Sequence, residues 1–79
     1  MPLYYFDTDD GDTKFRDETG LELVDAQKAR DEASRALAEL AREYVPSALG
    51  QKNVTMWVRD ETGEPLLQLS LTFAVQALK

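Results

Sequence analysis

Histidine and cysteine are both absent from this chain of 79 residues. Without histidine the commonest general base is missing, and without cysteine there is neither a thiolate nucleophile nor a disulfide. Most structural zinc sites also use one of these two residue types. Ser34, Ser47 and Ser70 lack a Gly-x-Ser-x-Gly setting, and the four glycines stand singly, which argues against a phosphate-binding loop. We therefore expect a protein that is not an enzyme, with no catalytic residues, no metal ligands and no cofactor.

Long apolar runs are also missing. No segment approaches the roughly 20 residues of a membrane span, so we expect no membrane partner. The first six residues carry no basic side chain and lead directly into Asp7, which is unlike a signal peptide, and we expect a cytoplasmic location. We expect a single domain, 1–79, and a domain of this length has only a small hydrophobic core. Since no disulfide can supplement it, we expect oligomerisation, with a dimer favoured.

Basic residues are few, because nine lysines and arginines face fifteen acids for a net charge of −6. The first 25 residues carry the whole excess, since they hold eight acids and two bases, whereas 26–79 is neutral. Proteins that bind phosphate backbones need clustered lysine and arginine, so we expect no direct binding of nucleic acid. A basic protein is the more natural partner.

The N-terminal segment predicts a β-hairpin at about 3–16. Leu3-Tyr4-Tyr5-Phe6 is aromatic and compact, as strands are, and Asp10-Gly11 is a strong hairpin signal because glycine accepts a positive φ. Residues 13–16 supply the returning strand. Both alternations of the first strand contain aromatic residues, so the sequence leaves open which face of it is buried.

The acidic run of this hairpin, Asp7 to Asp12, raises the question of calcium. Its spacing does not match an EF-hand loop, because with Gly11 as the loop glycine the first ligand position would be Phe6. A solvated hairpin turn is the interpretation that fits, and a carboxylate-dependent cation site is the alternative. The acids proposed to contact a basic partner are Asp9, Asp10, Asp12, Asp17 and Glu18.

A helix is predicted at about 25–45. Asp25 is a good N-cap, and Pro46 ends the helix soon after Tyr44. Small and apolar residues recur at helical spacing and fall within an arc of about 100°. This stripe, which we expect to be buried, consists of Ala26, Ala29, Ala33, Ala36, Leu37, Leu40 and Tyr44.

A second hairpin is predicted at about 53–76. Residues 54–58 alternate apolar and polar, Asp60 to Gly63 forms the turn, and Leu67 to Val75 alternates most clearly of all. We expect this last strand to be central. The order ββαββ predicts an α+β fold, with a four-stranded, mainly antiparallel sheet and one helix packed on one face. The expected inner set is Val54, Met56, Val58, Leu67, Leu69, Leu71, Phe73 and Val75.

One helix leaves the other sheet face uncovered. Trp57 lies on that face, together with Leu3 and Tyr5 or with Tyr4 and Phe6, depending on the register of the first strand. Aromatic residues on an open face are a plausible contact surface, and we single out Tyr5 and Trp57 for it. The alternative is that Trp57 lies flat against its neighbours.

The pentapeptide Arg-Asp-Glu-Thr-Gly occurs twice without change, at 16–20 and at 59–63. Each copy follows a predicted strand and ends in glycine, and aspartate or threonine side chains can bond the local backbone. We interpret the repeat as one turn solution used twice. A functional pair of acidic turns at one end of the sheet is the alternative.

The order of motifs resembles a family of small alphaproteobacterial proteins with a domain of unknown function. Its members open with Met-Pro-x-Tyr-Phe-Phe-Asp, which stands here as residues 1–7, followed by an acidic Asp-Gly turn. An Arg-Asp-Glu-x-Gly-x-Glu-Leu segment follows at 16–23, and then an alanine-rich helix and a closing hairpin. The resemblance carries no activity and no functional residues over to this chain.

A looser similarity is to the N-terminal domain of HicB-type antitoxins, which also begin with an aromatic strand, an Asp-Gly hairpin and an Ala/Leu-rich helix. Their Phe-Pro-Asp-Leu-Pro-Gly-Cys segment is absent, so the likeness is one of fold. Our leading hypothesis is a non-enzymatic, self-associating or protein-interaction module of the bacterial cytoplasm. The alternative is an antitoxin-like protein that masks a basic toxin or RNA-binding surface.

Overall fold

The computed structural model describes the backbone of residues 1–79 and every side chain except that of Ser47. Its elements follow in the order β1 (Leu3–Asp9), β2 (Lys14–Phe15), β3 (Leu21–Glu22), α1 (Ala26–Tyr44), a 3-10 helix (Val45–Ser47), β4 (Gln51–Arg59) and β5 (Pro65–Ala74). The α+β class, with one helix on a mainly antiparallel sheet, is confirmed. No helix among the described residues is both long and apolar enough to cross a membrane.

The sheet has five strands rather than the four predicted. The strand expected over residues 13–16 is only two residues long, and the chain returns to β1 a second time as β3. β2 pairs with the C-terminal end of β1 and β3 with its N-terminal end, so the two behave as halves of one interrupted strand.

The strand order is β2-β1-β4-β5, so the expectation that the last strand is central is wrong. β5 pairs only with β4 and forms one edge of the sheet, while β1 and β4 are the central strands. Apolar alternation reports that one face of a strand is buried, which is as true of an edge strand as of a central one. Strand order depends on long-range pairing that the alternation does not encode.

The inner face of the sheet forms the core with α1. Val54, Met56 and Val58 are buried at every second position of β4. Tyr4 and Phe6 of β1 point to the same side, so this is the face of the first strand that is buried. Leu67 and Leu69 of β5 pack against this cluster only partly buried. Leu71 also lies on the inner face, opposite Val54, but it is exposed at the uncovered edge. Val75 lies beyond the end of β5 and is exposed too, so neither residue belongs to the buried core.

Asp25 caps α1 as predicted, because its carboxylate accepts the backbone N–H of Lys28 at 2.9 Å. Ala29, Ala33 and Leu37 are buried, and they are the residues through which the helix lies close against β4 and β5. The expected stripe is wider than the buried one. Ala26 and Ala36 are exposed, since the helix does not extend over β1 and β2.

Candidate functional site

An ion pair between the two central strands organises the outer face of the sheet. The Arg59 guanidinium of β4 contacts the Asp7 carboxylate of β1 with two hydrogen bonds, Nε to Oδ2 at 2.6 Å and Nη2 to Oδ1 at 3.0 Å. The side chains are 12% and 16% exposed. The guanidinium also stacks 4.9 Å from the centre of the Tyr5 ring, which adds a cation–π contact. The arginine thereby ties both central strands together.

Asp17 fills the gap between β2 and β3. Its Oδ2 atom accepts the backbone N–H of Phe6 at 3.1 Å, and its own N–H donates to Asp7 Oδ1 at 2.9 Å. Its carbonyl oxygen accepts a third hydrogen bond from Arg59 Nη2 at 2.9 Å. Asp17 therefore supplies hydrogen bonds to β1 where strand pairing is interrupted. Although the sequence suggests this acid as a contact for a basic partner, its carboxylate is engaged in bonds within the molecule.

The pKa values of Asp7 and Asp17 predict loss of stability in acid. The hydrogen bond from Arg59 lowers the pKa of Asp7 below its ordinary value of 3.8. Burial raises the pKa of Asp17, but hydrogen bonds from three backbone N–H groups outweigh burial and bring this pKa below 3.8 as well. Such carboxyls stabilise the fold fully above their unfolded pKa, and the contribution is lost as pH falls through the folded value. The chain has no histidine to titrate between about pH 5 and 8. We expect the free energy of urea unfolding to stay level over that pH range and to decrease once the pH is below 3.8.

The matched variant for this prediction is Asp7→Asn, whose side chain does not titrate. Its acid decline should be shallower than that of the wild type, on a lower plateau at neutral pH. Equal steepness in the two proteins would show that the Asp7 pKa is not coupled to folding.

The β1–β2 hairpin uses its acids to bond its own backbone. Asp9 Oδ1 accepts the N–H of Gly11 at 2.9 Å, and Asp10 Oδ1 accepts those of Asp12 and Thr13 at 2.9 and 2.8 Å. Asp12 pairs with Lys52 at 3.3 Å. Asp10 also hydrogen-bonds the Tyr44 hydroxyl, which raises the pKa of that tyrosine. No group of three or more potential metal ligands occurs among the side chains that the structure describes.

The remaining candidates lie at different places on the outer face. Glu18 is exposed in the connection between β2 and β3. The Tyr5 ring covers Gly20, where an added Cβ would approach within 2.9 Å of the ring, so this tyrosine packs within the molecule. Trp57 is half-buried and donates its indole N–H to Gln68 at 2.9 Å. The structure thus brings together Tyr5, Asp7, Asp17 and Arg59. Trp57 lies beside them on the same face, directly opposite Asp7 and two residues before Arg59 on β4.

The two Arg-Asp-Glu-Thr-Gly segments use the same aspartate chemistry to turn the chain. In each, the aspartate Oδ1 accepts backbone N–H groups of the following residues, as Asp17 does from Thr19 and Asp60 does from Thr62. The predicted turn solution is therefore present twice. Both turns also contact β1, because Asp17 accepts the N–H of Phe6 and Glu61 accepts that of Leu3 at 2.9 Å. Their arginines differ most, since Arg16 is exposed whereas Arg59 is largely buried. The second copy also closes with a backbone bond, from the Gly63 N–H to the Asp60 carbonyl oxygen, whereas in the first copy the Gly20 N–H donates to the Asp17 side chain.

The two edges of the sheet are of opposite character. The β2/β3 edge is interrupted and carries charged side chains, namely Lys14, Arg16, Glu18 and Glu22. The β5 edge runs for ten residues without a charge. Leu66, Leu71 and Val75 are 41%, 38% and 57% exposed along it. The sequence allows association through a sheet edge as well as through the open face, but it does not identify β5 as that edge, because its alternation suggests a central strand.

A groove separates α1 from the β1/β2 side of the sheet. Its floor is Phe6, Thr8 and Met56, and Phe15 of β2 forms the outer wall. Phe15 lies opposite Thr8 on the inner face, yet it is 58% exposed because no helix covers it. The helix side consists of Ala36, Leu40 and Tyr44, with the charged residues Glu39, Arg42 and Glu43 at the rim.

A family model described as a domain of unknown function, DUF6894, matches residues 3–72. No curated protein and no solved structure matches the chain.

Proposed function

From its structure we propose that this chain, which belongs to the DUF6894 family, a domain of unknown function, is a non-enzymatic, self-associating interaction module of the bacterial cytoplasm. The observation that carries this proposal is the open edge of β5. Two copies joined there would form one continuous sheet with a helix from each copy on the same face. Backbone pairing of this kind is a common mode of protein association.

The character of β5 favours a second copy as its partner. Exposed strand edges in soluble proteins are usually blunted by lysine, proline, bulges or shortness, since they pair readily with other chains. This molecule has such devices on the β2/β3 edge. On β5 it has only Pro65 and the bulge at Val58/Arg59, both at one end of the strand. The rest of the strand has no feature that opposes pairing.

Charge also favours this edge over the other one. The negative excess lies in the first 25 residues, which form β1, β2 and β3, so two copies that met along the β2/β3 edge would bring like charges together. Pairing through β5 puts those acidic segments at the two far edges of the joined sheet. It would also cover Leu66, Leu71 and Val75, which a monomer leaves in water.

An edge-lysine variant, Ser70→Lys with Thr72→Lys, tests the proposal. Both side chains are exposed in β5, so the monomer fold tolerates them, but pairing of two copies would bring four lysines together. By light scattering at high micromolar concentration, we expect twice the monomer mass for the wild type and the monomer mass for the variant.

The matched control adds the same two charges at the other edge, as Thr13→Lys with Thr19→Lys, where both side chains are exposed. This protein should remain a dimer. A wild type that is strictly monomeric, or a control that dissociates as readily as the edge-lysine variant, would overturn the proposal.

A further inference from the structure

We propose that the groove between α1 and β2 binds a partner segment that combines apolar side chains with lysine or arginine. The groove lies at the opposite edge of the sheet from β5, so it stays open whether or not two copies pair. Its occupation is therefore independent of self-association.

The first argument is that apolar residues of two elements face each other across the groove. The apolar stripe of α1 is wider than its buried part, and Ala36 and Leu40 continue beyond the buried residues toward β2. Phe15 faces them from β2, more than half exposed, with Phe6 at the floor. Exposed aromatic side chains in a concave site are typical anchors for a bound chain.

The second argument is the size of the groove. Ala36 and Tyr44 are eight residues apart on α1, which corresponds to about 12 Å at the helical rise of 1.5 Å per residue. That length matches two or three apolar side chains from one face of a short helical or extended peptide. It is too short for a whole domain surface.

The third argument is the sign of the charge around the groove. Glu39 and Glu43 outnumber Arg42 at the rim. The end marked by Tyr44 adjoins the β1–β2 hairpin, where Asp10 bonds that tyrosine and Lys52, which pairs with Asp12, lies 5.2 Å from the centre of its ring. Acidic groups beside an apolar groove favour a segment with lysine or arginine next to its apolar anchors, and they disfavour an acidic one.

The probe is a fluorescein-labelled peptide of thirteen residues with leucine at positions 3, 7 and 10 and lysine or alanine elsewhere. One control peptide has glutamate in place of every lysine, and a second has serine in place of every leucine. By fluorescence anisotropy we expect only the first peptide to bind, with a dissociation constant in the micromolar range. Amide resonances of Phe15, Leu40 and Tyr44 should shift on binding.

Two protein variants distinguish the groove from general attraction to an acidic protein. Phe15→Ser should weaken binding at least tenfold, while Val24→Ser, which changes an apolar residue 64% exposed elsewhere, should leave it unchanged. The double variant Glu39→Lys with Glu43→Lys should bind the lysine peptide more weakly than the wild type does, and it should bind the glutamate peptide. The edge-lysine variant of β5 should bind the lysine peptide as the wild type does.

Several results would overturn the groove proposal. Equal binding of the lysine and serine peptides would show attraction by charge alone, and equal effects of the Phe15 and Val24 variants would exclude the aromatic anchor. Shifts confined to β5 would mean that the peptide adds a strand there. Concentration-dependent shifts in the groove of the free protein would make a second copy its occupant.

Discussion

Replacing Arg59 with methionine lowers the free energy of unfolding by about 2–3 kcal/mol, whereas the same replacement of Arg16 changes it by less than about 0.5 kcal/mol. Both arginines open the same pentapeptide. Arg59 donates two hydrogen bonds to Asp7 and a third to the carbonyl oxygen of Asp17. Its loss leaves the largely buried Asp7 carboxylate with only the backbone N–H of Asp17 as a partner.

Urea denaturation at pH 7, followed by far-ultraviolet circular dichroism, measures both variants on the same scale. Methionine keeps the length and apolar stem of arginine, so the difference reports the guanidinium and its bonds. The double variant Asp7→Asn with Arg59→Met should lose less than the sum of the two single changes, since both act on one ion pair. Equal losses for Arg59→Met and Arg16→Met would contradict the role given to the ion pair.

The features that could be predicted from the sequence are those that local chemistry determines. The Asp25 cap, the helix that follows it and the two aspartate turns each depend on residues within four positions of one another. The α+β class follows because the apolar period changes from about 3.6 residues in the helix to 2 in the strands on either side. For these elements the sequence pattern and the structure agree.

The features that could not be predicted depend on contacts between distant parts of the chain. Two identical pentapeptides give no reason to expect that Arg59 is held between strands while Arg16 is exposed. The difference arises because Arg59 is the last residue of β4, directly opposite Tyr5 and two positions from Trp57, the cross-strand partner of Asp7. Asp17 likewise gains its role from a gap in strand pairing that no local pattern marks.

The candidate site was predicted only in its components. Tyr5 and Trp57 lie on one sheet face, and Asp9, Asp10 and Asp12 lie at one turn, whereas their role as a contact surface stays a prediction. Most of them proved to be engaged within the molecule, as Asp17 is with Phe6 and Asp9 is with Gly11. The two surfaces proposed here, the β5 edge and the groove, follow from strand order and from where the helix lies, and neither is visible in local periodicity.

A Ser70→Cys variant should form a disulfide between two copies of the chain. An antiparallel pair of β5 strands keeps inner side chains opposite inner ones only if the twofold axis passes through a residue. Centring it on Ser70 pairs Leu69 with the partner's Leu71 and brings the two Ser70 residues opposite each other. Their Cα atoms would then be about 4.5–5.5 Å apart, within reach of a disulfide.

The absence of native cysteine makes this cross-link the most direct test of self-association through β5. Purified Ser70→Cys protein, oxidised with copper phenanthroline, should run as a covalent dimer on a non-reducing gel. Thr13→Cys at the far edge should remain a monomer. Mixing Gln68→Cys with Thr72→Cys should give the mixed dimer expected of the same register. Cross-linking no greater for any β5 cysteine than for Thr13→Cys would contradict pairing along β5.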